Sequence, residues 1–317
     1  MKYNLKMLVS VLLISFSSCN KDDVSIINNH QTRGKRIDII TNHNGDQRSY
    51  IIYIPSTYNS TQQHPLVFQL HGGSGNGEKF YNISGWNEIA EQNRLIIIYP
   101  TSYAYDIKAN GCGNNLVNHW NNYNMPQQVC DPTILRDDTD FLNQIINEVK
   151  GKYAINEKRI YVAGFSNGSG MVSRLGVELS SKIAAVGGLA GFFPGDTIFS
   201  PERKLPVHIM LGTKDEKIVP QTKFNNEIPF DIDQAFTDPS LYDIIKTYII
   251  TFDLDPSYEI TYASNDRITC TFEGKSGGLE NVLHFSLLKD LGHRFPNPSA
   301  KPGAADLFWE FFQSNSL

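Results

Sequence analysis

Short apolar runs separated by longer amphipathic segments are the feature that most constrains how this chain folds. The runs are residues 66–71, 95–99, 160–163, 184–189, 207–211 and 282–288. Between them, residues 137–150 and 167–179 carry apolar side chains at helical spacing. Strands that alternate with helices in this way form a mostly parallel sheet with helices on both faces. The sequence therefore predicts an α/β fold. Ligands of such sheets bind at the carboxyl ends of the strands.

A glycine-flanked serine stands at one of these strand ends. Residues 164–168 are GFSNG, which fits the pattern G-x-S-x-G between a strand and a helix. Side chains two residues before or after the serine would collide with the adjoining backbone, so glycine is required at both positions. The turn holds the Ser166 hydroxyl clear of the sheet, at a helix start that favours negative charge. We predict Ser166 as a nucleophile; the alternative is a Gly/Ser-rich turn without chemistry.

A serine nucleophile needs a base, and the sequence offers an acid and a histidine in a suitable order. In this type of site the partners follow as serine, acid and histidine. Asp215 comes directly after one apolar run, and His293 comes after the last run. We predict that His293 accepts the Ser166 proton and that Asp215 orients the imidazole. The competitors are Glu216, Asp231 and Asp233 for the acid, and His208 and His284, which lie inside apolar runs, for the base.

Acyl transfer also requires hydrogen-bond donors for the developing oxyanion. One donor is predicted to be the backbone N–H of Asn167, which follows the nucleophile. The second is predicted in the turn after the strand 66–71, at the N–H of Gly73. His71 itself is predicted to be a structural hydrogen-bonding residue.

Five motifs occur in register along the chain. They are LHGGSGN at 70–76, DD at 137–138, RIYVAGFSNG at 159–168, GTKD at 212–215 and GHRFP at 292–296. Together they resemble the polyhydroxybutyrate depolymerase and feruloyl esterase family, also described as carbohydrate esterase family 1, over residues 35–317. The resemblance implies an α/β-hydrolase fold, a Ser–Asp–His triad, and neither metal nor cofactor.

Two regions bear on the substrate. Residues 221–281 are polar and irregular, with a helix predicted over 240–250. We interpret them as a partial cap insertion, the alternative being a surface excursion. Trp120 lies in a long loop, where it either stacks on a substrate ring or packs beneath the loop. Phe295 stands where the family often has Trp. Trp120 and Phe295 are therefore the predicted substrate-binding residues.

The amino terminus carries an export signal. Lys2 and Lys6 precede an apolar run at 7–16, which is too short to span a bilayer. Cys19 follows two serines and resembles the lipid-modified cysteine of bacterial lipoproteins. The expected organisation is a signal peptide at 1–18, a flexible tether at 19–35 from acylated Cys19, and a catalytic domain at 36–317. We expect an exported lipoprotein of the outer membrane, facing the cell surface, that contacts the membrane only through its lipid anchor.

Three further cysteines fit an oxidising compartment. Cys112 and Cys130 lie in one loop rich in Gly and Asn, and we predict a disulfide between them. Cys270 would then be a free, buried thiol. None of the spacings indicates a metal site.

The composition and the motifs favour an enzyme acting on an ester substrate. The formal net charge is −5, and no stripe of Lys or Arg stands out, so nucleic acid is not an expected partner. The main hypothesis is a serine carboxylic ester hydrolase that removes feruloyl or acetyl groups from plant polysaccharides or oligosaccharides through an acyl-enzyme. The alternatives are a polyhydroxybutyrate-type polyester depolymerase and a non-catalytic, glycan-binding surface lipoprotein.

Overall fold

The strands of the chain follow the predicted apolar runs. The computed structural model describes residues 34–113, 115–195, 197–275, 281–300 and 302–317. The predicted signal peptide, Cys19 and the tether up to residue 33 lie outside the described residues. The strands are β1 (Lys35–His43), β2 (Asp46–Ile54), β3 (His64–Leu70), β4 (Ile96–Pro100), β5 (Ala104–Asp106), β6 (Leu116–Asn118), β7 (Ile155–Phe165), β8 (Ala185–Leu189), β9 (Val207–Gly212), β10 (Glu259–Ala263), β11 (Arg267–Glu273) and β12 (Val282–Leu288).

Helices connect these strands. They are α1 (Gly77–Ile83), α2 (Trp86–Asn93), α3 (Met125–Gln128), α4 (Asp138–Lys150), α5 (Asn167–Glu178), α6 (Ile232–Ala235), α7 (Pro239–Thr251) and α8 (Ala304–Phe312). Several begin at an acidic N-cap that accepts a backbone N–H: the side chain of Asp137 caps α4, and that of Asp238 caps α7. Gly85, with φ +82°, separates α1 from α2. Among the described residues, no helix combines the length and the apolar character needed to cross a bilayer.

Ten of the described strands form one sheet in the order β1-β2-β4-β3-β7-β8-β9-β12-β11-β10. The central pairs from β4 to β12 are parallel, whereas β1, β2, β10 and β11 pair with their neighbours in antiparallel fashion. The predicted mostly parallel α/β sheet is confirmed. Because β3, β7, β9 and β12 lie close together in this order, the loops after their carboxyl ends meet at one edge.

Helices cover both faces of the sheet, and each face has its own apolar core. Apolar side chains of α4, α5, α6 and α7 pack on one face, with Phe141, Met171 and Tyr248 fully buried. Those of α1, α2 and α8 pack on the other face, with Trp86 and Phe308 fully buried. Burial of each such side chain contributes roughly 1.5–3 kcal/mol. The two cores hold the sheet rigid beneath the loops at its edge.

The predicted cap insertion at 221–281 differs from the structure in its second half. Its first half contains α6 and α7, whose buried side chains pack on the sheet. The start of α7 borders the cavity described below. Its second half contains β10 and β11, which extend the main sheet. Strand β10 was not predicted because all five of its residues are exposed and show no apolar run. The small β5-β6 sheet in the loop after β4 was also not predicted.

Candidate active site

Ser166 lies at a tight turn between β7 and α5. Its backbone has φ +54° and ψ −120°, a strained conformation for a residue with a side chain. The flanking glycines explain how the turn closes. A Cβ at Gly164 would lie 2.5 Å from the carbonyl oxygen of Gly168, and a Cβ at Gly168 would lie 2.4 Å from that of His71. The steric reason given for both glycines in the sequence therefore applies in the structure.

Ser166, His293 and Asp215 form a continuous hydrogen-bonded relay. The Ser166 hydroxyl lies 2.8 Å from Nε2 of His293, and Nδ1 of His293 lies 2.9 Å and 3.0 Å from the two carboxylate oxygens of Asp215. With Nδ1–H donating to the carboxylate, Nε2 is free to accept the hydroxyl proton. The structure thus brings together the three residues predicted for catalysis, from loops after three different strands.

The acid of the relay is held by backbone groups. Asp215 has no exposed side-chain surface, and its Oδ1 also accepts the N–H groups of Lys217 at 3.0 Å and Ile218 at 3.2 Å. Glu216 has a different task, since its carboxylate accepts the backbone N–H of His293 at 2.7 Å. This bond lowers the pKa of Glu216. The two neighbouring carboxylates therefore fix the ring and the backbone of the same histidine.

The remaining competitors lie outside this relay. Asp231 caps α6, and Asp233 accepts the phenol of Tyr258. His208 and His284 lie within β9 and β12. Burial lowers the pKa of His284 to about 4.

The turn after β3 lies against the nucleophile. A Cβ at Gly72 would come within 3.3 Å of the Ser166 Cβ, and Gly73 borders the same cavity as Ser166 and Asn167. Asn167 is the first residue of α5, where backbone N–H groups have no partner within the helix. The predicted oxyanion donors, the N–H groups of Gly73 and Asn167, therefore both belong to residues that border the cavity beside the serine.

His71 fixes the shape of that turn. Its Nδ1 donates to the carbonyl of Gly72 at 2.7 Å, and its Nε2 accepts the backbone N–H of Ser102 at 3.0 Å. The second bond requires the neutral ring, because a protonated Nε2 could not accept. Burial lowers the pKa of His71 to about 4, which keeps it neutral near pH 7. The predicted structural role of His71 agrees with these contacts.

Trp120 does not reach a substrate, contrary to one of the two interpretations of its loop. Its side chain is fully buried, and its indole N–H donates to the His71 carbonyl at 2.9 Å. The Asn167 side chain holds the Trp120 backbone through bonds of 2.7 Å to its N–H and 3.1 Å to its carbonyl. The prediction of Trp120 as a substrate-binding residue is wrong because the indole fills the space beneath the loop.

Phe295 is likewise packed rather than presented to a substrate. It is 9% exposed, and its ring packs against Phe80 and Phe165 at centroid distances of 5.3 Å and 6.0 Å. Phe165 in turn borders the cavity and lies 5.1 Å from the His293 ring. Phe295 therefore packs against the ring that contacts His293, and its burial contradicts its prediction as a substrate-binding residue.

The cavity in front of Ser166 has a volume of about 910 Å³. Its lining combines amide and hydroxyl side chains with apolar ones. The polar lining includes Asn110, Asn122, Asn124, Gln128, Gln221 and Thr222, and the apolar lining includes Phe192, Phe193, Ile218, Leu241 and Ile244. The sequence analysis missed these residues. Phe192 and Phe193 follow the carboxyl end of β8, so the strand-end rule could have indicated them.

His119 is a second histidine of this cavity that the sequence analysis did not assign. A Cβ at Gly73 would lie 2.6 Å from Nε2 of His119, so the ring lies directly against the turn after β3. Burial lowers the pKa of His119. Its Nδ1 has no hydrogen-bond partner among the described residues. A neutral imidazole is thus placed next to the predicted oxyanion donor.

A disulfide joins the two ends of the loop segment that borders this cavity. The sulfur atoms of Cys112 and Cys130 are bonded, and Cys270 is a free, buried cysteine in β11. The segment around the bridge contributes Ile107, Asn110, His119 and Gln128 to the cavity lining. No group of three His, Cys, Asp or Glu side chains within the described part of the chain is arranged to hold a metal ion.

Comparison with known proteins agrees with the family resemblance seen in the sequence. Residues 48–201 match the family model described as esterase PHB depolymerase. The matched segment contains Gly73, Ser166 and Asn167, whereas Asp215 and His293 lie beyond it. The resemblance to this family is confirmed for the part of the chain that carries the serine.

Two curated relatives have similar segments. The bifunctional acetylxylan esterase/xylanase XynS20E of Neocallimastix patriciarum is 25% identical over 187 residues, which are 57% of this chain and 23% of that protein. Feruloyl esterase B of Piromyces equi is 26% identical over 176 residues, which are 54% of this chain and 30% of that protein. The similarity thus spans less than a third of the length of each relative.

A solved structure extends the likeness to most of the fold. The acetyl xylan esterase from Aspergillus awamori superposes with a TM-score of 0.55 and covers 88% of this chain and 99% of its own. The two sequences are 17% identical in this alignment, so the comparison concerns the fold. It confirms the predicted α/β-hydrolase architecture.

Proposed function

We propose that this chain is a serine carboxylic ester hydrolase, because residues 48–201 match the family model described as esterase PHB depolymerase. The observation that carries the proposal is the relay in which His293 lies 2.8 Å from the Ser166 hydroxyl and 2.9 Å from Asp215. A Gly/Ser-rich turn without chemistry would give no reason for an imidazole and a buried carboxylate to line up on its serine.

The proposed mechanism proceeds through an acyl-enzyme. The Ser166 oxygen attacks the ester carbonyl carbon while Nε2 of His293 takes the hydroxyl proton. The carbonyl oxygen becomes an oxyanion, which accepts hydrogen bonds from the backbone N–H groups of Gly73 and Asn167. When the tetrahedral intermediate collapses, His293 gives its proton to the leaving alcohol. Water, activated by the same histidine, then attacks the acyl group, and the released acid leaves Ser166 as it began.

The proposed substrate is a feruloyl or acetyl ester on a plant polysaccharide or oligosaccharide. The cavity of about 910 Å³ lies in the size range of small-ligand sites. Its amide and hydroxyl groups suit the hydroxyls of a sugar, and its apolar side chains suit an acyl group. The names of the relatives, an acetylxylan esterase and a feruloyl esterase, point in the same direction.

A polyester of the polyhydroxybutyrate type is the second candidate substrate, favoured by the description of the matching family. The purified protein should be assayed with methyl ferulate, acetylated xylan and hydroxybutyrate oligomers under the same conditions. Preference for the first two substrates would support the polysaccharide proposal. Hydrolysis of the oligomers alone would replace it with the polyester proposal.

The proposed nucleophile is tested by Ser166→Ala. Hydrolysis of a chromogenic short-chain ester should fall by about 10⁴–10⁶-fold, the size of effect that loss of a catalytic serine produces. Ser240→Ala, at another exposed serine of the cavity lining, is the matched control and should retain activity. A fluorophosphonate probe should label the wild type and not Ser166→Ala. Absence of labelling in the wild type would favour the non-catalytic, glycan-binding alternative.

We further propose that residues 36–317 form the catalytic domain of an exported lipoprotein anchored through Cys19. The basic and apolar start of the chain supports export, and the Cys112–Cys130 bridge suits an oxidising compartment. Growth of expressing cells with radiolabelled palmitate should label the wild type but not Cys19→Ser. Equal labelling of both proteins would contradict the anchor.

A further inference from the structure

A second groove, of about 470 Å³, lies beside α8 on the α8 face of the sheet. Its lining comes from β9–β12 and from α8, and it shares no residue with the catalytic cavity. His208 and His284 pair near the amino ends of β9 and β12. Arg267, which also lines the groove, pairs with Leu288 at the carboxyl end of β12, so the groove follows the α8 face along the length of this strand. The relay lies in the loops beyond the carboxyl ends.

Two side chains that line the groove each carry a buried polar atom without a partner within the described ranges. His208 is 2% exposed; its Nε2 lies 2.9 Å from the Ser286 hydroxyl, while its Nδ1 has no hydrogen-bond partner there. Arg267 is 6% exposed, and its terminal nitrogens bind the Glu310 carboxylate at 3.1 Å and 3.3 Å. The Nε of Arg267 is also unpartnered among the described residues. Buried polar atoms of this kind are uncommon in folded proteins and favour a polar ligand.

A β-bulge supplies the groove with an aromatic side chain. The register of β10 on β11 shifts between Ile260 and Tyr262, so Thr261 is an extra residue. Neighbouring side chains of a regular strand point to opposite faces, but here both Thr261 and Tyr262 line the groove. Tyr262 is 43% exposed, and the Arg267 guanidinium lies 3.8 Å from the centroid of its ring. The bulge thus places a half-exposed ring beside the buried polar groups.

The charges of the groove disfavour an anionic ligand. Arg267 is paired with Glu310, Glu273 adds a negative charge, and burial lowers the pKa of both His208 and His284, so their rings are neutral near pH 7. No excess of positive charge remains to attract an anion. Hydroxyls of Thr261 and Thr269, imidazole nitrogens and a flat ring are suited to a molecule that is rich in hydroxyls and has an apolar ring face.

We propose that this groove binds a sugar unit of a neutral polysaccharide. The binding site would hold the polymer on the α8 face of the sheet while Ser166 acts on an ester beyond the carboxyl ends of the strands. That the polymer also carries the substrate ester rests on the proposed function, whereas binding of the sugar does not. In either case Tyr262 provides the ring on which the sugar packs.

The test is calorimetric titration of the full chain with unesterified xylohexaose, and in parallel with cellohexaose and mannohexaose. At least one hexaose should bind the wild type. Tyr262→Ala should weaken this binding at least about fivefold, which corresponds to about 1 kcal/mol. Tyr262→Phe keeps the ring and should bind within about twofold of the wild type. Tyr242→Ala removes a tyrosine of similar exposure, 41%, on α7 and should also leave the affinity unchanged.

Hydrolysis of a small chromogenic acetate separates this inference from the proposed function. Tyr262→Ala should hydrolyse it at the wild-type rate, which also shows that the variant folds. Absence of binding by all three hexaoses at millimolar concentration would overturn the inference. Equal affinity of the wild type and Tyr262→Ala would do the same, because the sugar would then bind elsewhere, as in the catalytic cavity. Sugar binding that depends on Tyr262 without any esterase activity would retain the groove and reject the proposed function.

Discussion

The relay beyond the carboxyl ends of β9 and β12 and the groove on the α8 face of the same strands hold polar groups in opposite states. In the relay, the protein itself supplies the partners: Asp215 binds His293 and two backbone N–H groups, and His293 binds Ser166. In the groove, His208 of β9 and Arg267 of β11 each retain an atom without a partner among the described residues. Paired groups are fixed in position before a substrate arrives, which suits chemistry. Unpaired groups gain a partner when a ligand arrives, which suits binding.

The largest expected difference between the relay and the groove follows from removing one carboxylate charge in each. Asp215→Asn should lower the rate of short-ester hydrolysis by about 10⁴-fold, because the amide no longer stabilises the correct tautomer and the charged form of His293. Glu310→Gln removes the partner of Arg267 in the groove and should leave this rate within about twofold. Steady-state kinetics on a chromogenic acetate would measure both. Equal losses in the two variants would show that the relay and the groove are not functionally distinct.

Glu216→Gln sharpens the same comparison at the relay. The glutamine side chain retains an oxygen that can accept the His293 backbone N–H, now bonded by Glu216 at 2.7 Å. We therefore expect less than about a tenfold loss of activity. A loss as large as that of Asp215→Asn would exchange the roles proposed for the two carboxylates.

A loss between those of Asp215→Asn and Glu216→Gln is expected from Gly73→Ala, which tests how closely the turn after β3 is packed. The added Cβ would meet Nε2 of His119 at 2.6 Å and displace the turn that carries a proposed oxyanion donor. Loss of one such donor lowers kcat by about 10²–10³-fold, and we expect a loss of this size. The kcat and KM of short-ester hydrolysis would be measured separately, because the donor acts on the transition state.

Two variants control the interpretation of Gly73→Ala. A Cβ at Gly113 meets nothing within 4 Å, so Gly113→Ala should retain activity. His119→Ala, combined with Gly73→Ala, removes the ring that the new methyl group meets and should recover part of the lost rate. If the double variant is as inactive as Gly73→Ala, the clash with His119 is not the cause.

The relay of Ser166, His293 and Asp215 could be predicted from the sequence because chain order and topology determine the positions of these residues. A serine between two glycines, an acid after one strand and a histidine after another must meet once the sheet is parallel. The direction in which the Trp120 and Phe295 side chains point could not be predicted in the same way. Whether an aromatic ring in a loop faces a cavity or the core depends on what packs around it, and the rings of both residues are buried in the core.

The groove was also beyond the reach of the sequence. Strand β10 has no buried residue, so its pattern gives no period-two signal of apolar side chains. The bulge at Thr261 then changes which face Tyr262 occupies, and a shift of one residue cannot be read from an exposed strand. His208 and His284 were correctly predicted to lie in strands. The other residues that line the groove, on β10, β11 and α8, come from distant parts of the chain.

The smallest expected effect compares two tryptophans. As with the relay and the groove, the indole N–H of one has a hydrogen-bond partner and that of the other has none among the described residues. The Trp120 N–H donates to the His71 carbonyl at 2.9 Å, whereas the Trp309 N–H, on α8, has no partner among the described residues. Replacement by Phe removes the N–H and a similar volume from each. Trp120→Phe leaves the buried His71 carbonyl without its donor, at a cost of about 1–3 kcal/mol in the free energy of unfolding. Trp309→Phe should be less destabilising by that amount, as measured by urea denaturation. Equal destabilisation would mean that lost packing volume, rather than the hydrogen bond, is what Trp120 contributes beneath the catalytic loop.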